Sequence, residues 1–201
     1  LISNVKRVSG SPVLSHSLPG EKISLFRLAE VACAWSDNTA TNLLLDYYGG
    51  PSRMTKWIRQ VGDRFTRMDR METELNITSK KDPRDKTRPA SVTLLWQKIY
   101  LSMSDQQKQQ WEAMLTQNKF SHHLMKNGLP KGWKVADRTG AGTSQNESNR
   151  VLHAIVTNDS GEKFFVAIHV RMAPDKTIAE RDEVVQRVSS VVLEAIKSLH
   201  V

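Results

Sequence analysis

The stretch Val151-Leu152-His153-Ala154-Ile155-Val156-Thr157, Asn158-Asp159-Ser160-Gly161, Glu162-Lys163-Phe164-Phe165-Val166-Ala167-Ile168-His169-Val170-Arg171 decides how this chain folds. Two runs rich in β-branched and aromatic residues flank four residues of turn chemistry, the pattern of a β-hairpin. Upstream, Trp133 to Thr139 is a third run of the same kind. Downstream, Thr177 and Glu180 have capping-box spacing and open a helix. Val185, Val188, Val192, Ala195 and Leu199 predict the buried stripe of that helix.

Before Gly132 the pattern is helical. Leu25 to Trp35 and Thr39 to Tyr48 read as helices, the second stopped by Gly49 and Gly50. Pro51 starts a third, whose Met54, Trp57, Ile58 and Val61 follow i, i+3, i+4, i+7 spacing. Val92, Leu95, Trp96 and Ile99 mark a fourth helix, and Ser104 with Gln107 caps a fifth. Residues 1–20 read as an irregular or edge stretch. Residues 62–89 carry charge, Pro83 and Pro89 without periodicity, which predicts a long ordered loop; such loops are usually functional. The sum is an α+β fold in which a helical block packs on an antiparallel β-sheet with a C-terminal helix, and residues 1–201 form one domain. Three strands leave a sheet edge uncovered, which predicts an N-terminal helix and strands upstream of Leu1.

Composition narrows the function classes. Hydrophobic residues at 39% and charged residues at 25% exclude a disordered or fibrous chain. The longest apolar runs are far too short to span a bilayer. The net charge of +8 raises nucleic-acid binding, yet acids interleave the bases, as in Arg67, Asp69, Arg70 and Glu72, so a solvated surface is the reading. Cys33 is the lone cysteine, so there is neither an internal disulfide nor a thiolate metal cluster. His122 and His123 are adjacent and diverge on a helix, while His153 and His169 meet across the hairpin as a packed pair rather than a zinc site. Trp57, Trp96 and Trp111 sit at helical spacing with aliphatics and read as core. Neither a metal nor a cofactor is expected.

Three short stretches carry the chemistry. Ser36-Asp37-Asn38 lies between two helices, where a helix N-cap is the plain alternative. Glu72-Thr73-Glu74-Leu75-Asn76 lies inside the long loop. Arg138-Thr139-Gly140-Ala141-Gly142 ends a predicted strand with a cation, a hydroxyl and small residues that let a substrate lie close. In this order the three match the S-D-N, loop-glutamate and K-T-G set, and the chain resembles the class A serine β-lactamases. The resemblance extends through Thr39 to Leu45, Gly49-Gly50-Pro51, Thr66 to Asn76, Asp82-Pro83-Arg84-Asp85, Leu129 to Trp133 and Ile178 to Asp182.

The resemblance implies a set of roles toward a β-lactam substrate. Arg138 and Thr139 would hold the substrate carboxylate beside Gly140, with arginine standing where the family usually has lysine. The Ala141 N–H would be half of an oxyanion hole. Ser36 would relay a proton to the departing ring nitrogen, and Asn38 would bind the acylamido side chain. Glu72, with Asn76, would hold and deprotonate the deacylating water, kept ionised by Arg67 and Arg70. Arg150 would add a second cation, and Arg70 with Asp85 would pin the neck of the loop. Gly10 stands where the family often has an aromatic residue, which implies an open pocket wall. The nucleophile would come from an S-x-x-K helix in an N-terminal segment outside these residues, because Ser3-Asn4-Val5-Lys6 is too close to Ser36 and is followed by Gly10 and Pro12. A periplasmic or secreted location follows from the resemblance, with no nucleic acid and no membrane span. A penicillin-binding D,D-peptidase and a non-catalytic sensor that kept the pocket stay open as alternatives.

Overall fold

The computed structural model describes residues 6–17, 20–77, 81–121 and 123–199. A three-stranded antiparallel sheet forms the middle layer, with β1 (Lys134–Thr143), β2 (Ser148–Thr157) and β3 (Lys163–Met172) in that order. The C-terminal helix α6 (Ile178–Ser198) covers one face. On the other face lie α4 (Pro89–Ser102) and α5 (Asp105–Thr116), with α1 (Leu25–Trp35) against α5. The helices α2 (Asn38–Tyr48) and α3 (Gly50–Val61) complete the helical block.

Strand alternation explains why both faces are buried. Leu152, Ala154 and Val156 of β2 point to α6, where they meet Val185 and Leu193. Ile155 points the other way, into a cluster with Tyr100, Leu115 and Ala136, edged by Trp96, Trp111 and Phe165. Each fully buried aliphatic of this kind stabilises by about 1.5–3 kcal/mol. A third cluster of Leu14, Leu28, Val31 and Ala40 ties the N-terminal segment to α1 and α2.

The predicted order of helices and strands is the observed one, with three differences. First, β1 does not stop at Thr139 but runs to Thr143, because Gly140 to Thr143 find partners in Val151 to Ser148 of β2. Arg138 to Gly142 therefore lie inside a strand rather than at its end. Gly140 has a packing reason as well, since a Cβ there would stand 3.0 Å from Val151 Cγ2. Second, the buried stripe of α6 is Val185, Ser189, Leu193 and Ile196; Val188 and Leu199 are exposed. Two apolar stripes one position apart compete for the sheet. The winner tolerates Ser189 because its hydroxyl donates to the Val185 carbonyl at 2.7 Å. Third, residues 62–88 contain a short 3-10 turn, Glu74–Asn76, in an otherwise irregular loop. The expected ion pair at the neck of that loop is present, with Arg70 Nε 2.6 Å from Asp85 Oδ2. Among the described residues, no helix is long and apolar enough to cross a membrane.

Candidate active site

The site is built where α1, α2, the 62–88 loop and β1 converge. Asp37 caps α2, its Oδ1 accepting from Ala40 N–H at 2.9 Å, so the N-cap alternative for Ser36-Asp37-Asn38 is a real part of the structure. Its Oδ2 accepts from the N–H groups of Val13 and Leu14. This fully buried carboxylate thus fixes both the start of α2 and the segment crossing it. Ser36, the C-cap of α1, takes a left-handed backbone with φ of 51°. That turn aims its hydroxyl at β1, where Arg138 Nη2 donates to Ser36 Oγ at 3.3 Å. The second arm of Arg138 donates to the Cys33 carbonyl, one of the acceptors left free at the end of α1.

Arg138 is the unusual group here. Burial holds its guanidinium below the usual arginine range. Among the described residues, no carboxylate stands within ion-pair distance of it. Its charge does reach Glu72, and burial pushes the Glu72 carboxyl up, opposed by Asn76 and Arg138. Asn76 Nδ2 donates to Glu72 Oε2 at 2.5 Å, so the two loop residues expected to share a task are in direct contact. The Glu72–Thr73 peptide bond is cis.

One expectation about Glu72 is overturned. Arg67 and Arg70 do not hold it ionised. Arg67 is committed to Asp69, and Arg70 to Asp85 and the Ile77 carbonyl. Charges that lie close in sequence were captured by the loop's own acids, and the cation that acts on Glu72 comes from β1 instead. Sequence reasoning also missed Asn42. Its Nδ2 donates to the Glu72 carbonyl and its Oδ1 accepts from the Glu72 N–H, both at 2.8 Å. Asn42 lies four residues after Asn38, on the same face of α2, and that spacing was the available signal.

Asn38 is beside this group, its Nδ2 donating to the Ser9 carbonyl at 2.8 Å. Thr139 follows Arg138 in the strand and so faces the opposite side of the sheet, the side of Arg150. Ala141 pairs with Arg150 across β1 and β2 and is exposed. Arg150 itself is buried, with Nε on Asp182 Oδ1 and its other nitrogens on the carbonyls of Gly140 and Phe120. The structure therefore separates the two cations, Arg138 toward the helical block and Arg150 toward α6. Asp182, which the sequence reading did not single out, anchors the second.

Ser3 lies outside the described residues, as does His122. A further S-x-x-K spacing, Ser160-Gly161-Glu162-Lys163, falls on the β2–β3 turn. Ser160 bonds Asn158 there and Lys163 pairs with Glu112. Among the described residues, no cluster of three or more His, Cys, Asp or Glu is arranged to hold a metal ion. His153 and His169 do meet, with their Nε2 atoms 2.8 Å apart and ring centroids 5.1 Å apart. In that contact one imidazole N–H donates to the other ring's nitrogen.

A family model described as the beta-lactamase enzyme family matches residues 1–196. The chain belongs to the beta-lactamase enzyme family. It is 30% identical over 199 residues to beta-lactamase CARB-3 of Pseudomonas aeruginosa, covering 98% of this chain and 67% of that protein. Among solved structures it resembles the chromosome-encoded beta-lactamase of Vibrio parahaemolyticus, with a TM-score of 0.86 and 34% identity, covering 94% of this chain and 71% of that one. It resembles an ancestral class A beta-lactamase equally, with a TM-score of 0.85 and 34% identity over 94% of this chain and 72% of that one. These class A serine β-lactamases share its arrangement of helices on an antiparallel sheet.

Proposed function

We propose that the protein hydrolyses β-lactams through an acyl-enzyme, with Ser36, Glu72 and the Ala141 N–H in catalytic roles. The observation that carries this reading is Arg138. A half-buried cation with no carboxylate in ion-pair range among the described residues, bonded to a serine hydroxyl and acting on a half-buried glutamate, is a place prepared for an anionic substrate that reacts. The substrate carboxylate is drawn to Arg138, while Arg150, buried against Asp182, ties α6 to the sheet instead of adding a second cation to the clamp. The acylamido group meets Asn38.

The nucleophile is a serine of an S-x-x-K segment outside the described residues. Its oxygen bonds to the ring carbonyl carbon, and the carbonyl oxygen takes the negative charge facing the Ala141 N–H. The carbon–nitrogen bond of the ring then breaks, and Ser36 relays the proton given up by the attacking serine to the leaving nitrogen. In the second half, Glu72 takes a proton from water held with Asn76. The water oxygen attacks the ester, and the serine leaves with its proton restored. Burial suits Glu72 to this task, because a carboxylate that is harder to ionise is a stronger base once ionised. The loop of residues 62–88 acts as the omega loop of such an enzyme. Because β-lactams act on enzymes outside the cytoplasm, a periplasmic or secreted location fits this role.

The test is Glu72→Gln in the full-length protein. The variant is expected to acylate normally and to accumulate a long-lived adduct, read as a mass increase equal to the bound antibiotic. Loss of a general base lowers turnover by about 10²–10⁴-fold. Turnover of penicillin at the parent rate without adduct sinks the assignment. An adduct already present in the unmutated protein points to a D,D-peptidase instead.

A further inference from the structure

The helices α3 and α4, with the turn after α3, carry a one-sided balance of charge. Residues 50–65 and 88–102 contain Arg53, Lys56, Arg59, Arg64, Arg88 and Lys98 against a single acid, Asp63. In the loop between them acids answer the bases, and Arg67, Arg70 and Arg84 each pair with an aspartate. On the two helices nothing does. All six cations are exposed, and among the described residues none of them is in an ion pair. Asp63 does not offset them toward solvent, because it is buried. Its Oδ1 accepts from the N–H groups of Phe65 and Thr66, and its Oδ2 is closed off from water.

Apolar side chains stand among these charges. Phe65, Leu94 and Leu101 are 51%, 55% and 69% exposed. The Arg88 guanidinium lies over the Phe65 ring, 3.9 Å from its centroid. Lys98 Nζ donates to the Val61 carbonyl, which ties α4 to the end of α3. Arg64, Phe65, Leu94 and Lys98 line one cleft of about 170 Å³ between these elements. Leu94, Lys98 and Leu101 follow i, i+4, i+7 spacing, so Leu101 continues the same face of α4.

We infer that this face is a docking surface for an anionic lipid bilayer. Arg64, Arg88 and Lys98 meet the headgroup phosphates, their long stems holding the charge level with the headgroups while Phe65, Leu94 and Leu101 enter the acyl boundary. The cations of α3 extend the positive field beside them. A nucleic acid would answer the charge, but its phosphates give Leu94 and Leu101 no place to be buried, and the mixture of exposed leucines with unpaired cations is the chemistry of a membrane interface. This surface is independent of the catalytic reading.

The experiment is co-sedimentation of the full-length protein with vesicles of phosphatidylcholine alone or mixed with phosphatidylglycerol. The protein is expected to partition onto the mixed vesicles only, and less as salt is raised, since exposed charges are screened beyond about 10 Å at 0.1 M. Arg64→Gln with Lys98→Gln is expected to lower the partition about fivefold per cation. Lys131→Gln with Arg187→Gln removes the same charge from exposed positions elsewhere and is expected to change it far less. Leu94→Gln with Leu101→Gln is expected to lower it about tenfold while leaving the salt dependence as it was. Failure to partition onto phosphatidylglycerol overturns the inference, and so do equal losses from the two charge pairs, which would make net charge the whole cause. A DNA duplex bound in the same Arg64- and Lys98-dependent way, with the leucine pair without effect on either probe, overturns it in favour of a nucleic acid.

Discussion

Arg138 and Arg150 sit three strand positions from each other's partners, in adjacent strands, and are treated in opposite ways. Arg150 faces α6 and meets Asp182, a buried carboxylate, with one backbone carbonyl on each terminal nitrogen. Arg138 faces the helical block and meets a carbonyl and a hydroxyl, with no carboxylate in ion-pair range among the described residues. The first arrangement holds two layers together. The second keeps a positive charge in a half-buried place without an ion-pair partner, which suits it to something negative arriving from outside. Residue type and strand do not separate a structural cation from a site cation; the presence of a matched counter-charge does.

Asp182→Ala attacks the structural side of this contrast. It leaves Arg150 buried and unpaired, and breaking a buried pair from one side costs about 3–5 kcal/mol. The expected readout is a large drop in the denaturant midpoint with little change in slope. His123 also contacts Asp182 at 2.9 Å, and its exposure makes it a minor contributor. A midpoint that hardly moves means that Arg150 is satisfied by carbonyls alone, and the contrast with Arg138 dissolves.

Arg138→Met attacks the other side and is expected to separate activity from stability. Removing a half-buried cation that has no ion-pair partner among the described residues relieves its desolvation, so the midpoint holds or rises. Catalytic efficiency on penicillins falls by about 10²–10³-fold, the cost of losing a pre-placed charge in a water-poor site. Kinetics beside a denaturation curve check both halves. A variant that loses stability in proportion to activity would place Arg138 in the same class as Arg150.

The same distinction explains what was readable from the residues alone. Element order was legible because hairpin chemistry at Asn158 to Gly161 and caps such as Ser104 and Thr177 are local signals. The Arg70–Asp85 pair was legible because both ends belong to one loop. The α6 stripe was misread because Val188 is more apolar than Ser189, and only the sheet decides which of the two faces it. The partners of Glu72 were misread for a related reason. Arg67 and Arg70 are its neighbours in sequence, whereas Arg138 and Asn42 reach it only through the fold. Asp182 looked like one more charge at a helix start until β2 laid Arg150 against it.

The smallest effect concerns the histidines on the helical face of the sheet, where a positive charge would have no counter-ion and the imidazoles are held neutral. His153 packs edge-on against Trp96 and is hydrogen-bonded to His169. Burial, and then His169, push its imidazole down to about 4 from an ordinary value of 6.5. The folded state therefore binds this proton less readily than the unfolded chain does. The stabilisation from keeping His153 neutral is fully present above pH 6.5 and is lost as pH falls toward 4. By linkage the loss amounts to about 2 kcal/mol at pH 5. His169 is depressed too, by burial, and adds to the slope in the same direction. His153→Gln keeps a hydrogen-bonding group opposite His169 and removes the titration. The variant is expected to show a flatter decline in denaturant midpoint between pH 7 and pH 5 than the parent, and to converge with it at the acid end. Parallel curves would mean that the pair accepts a second proton without cost. The helical face would then tolerate unpaired positive charge in general, and Arg138 would lose its claim to be an exception held there for a ligand.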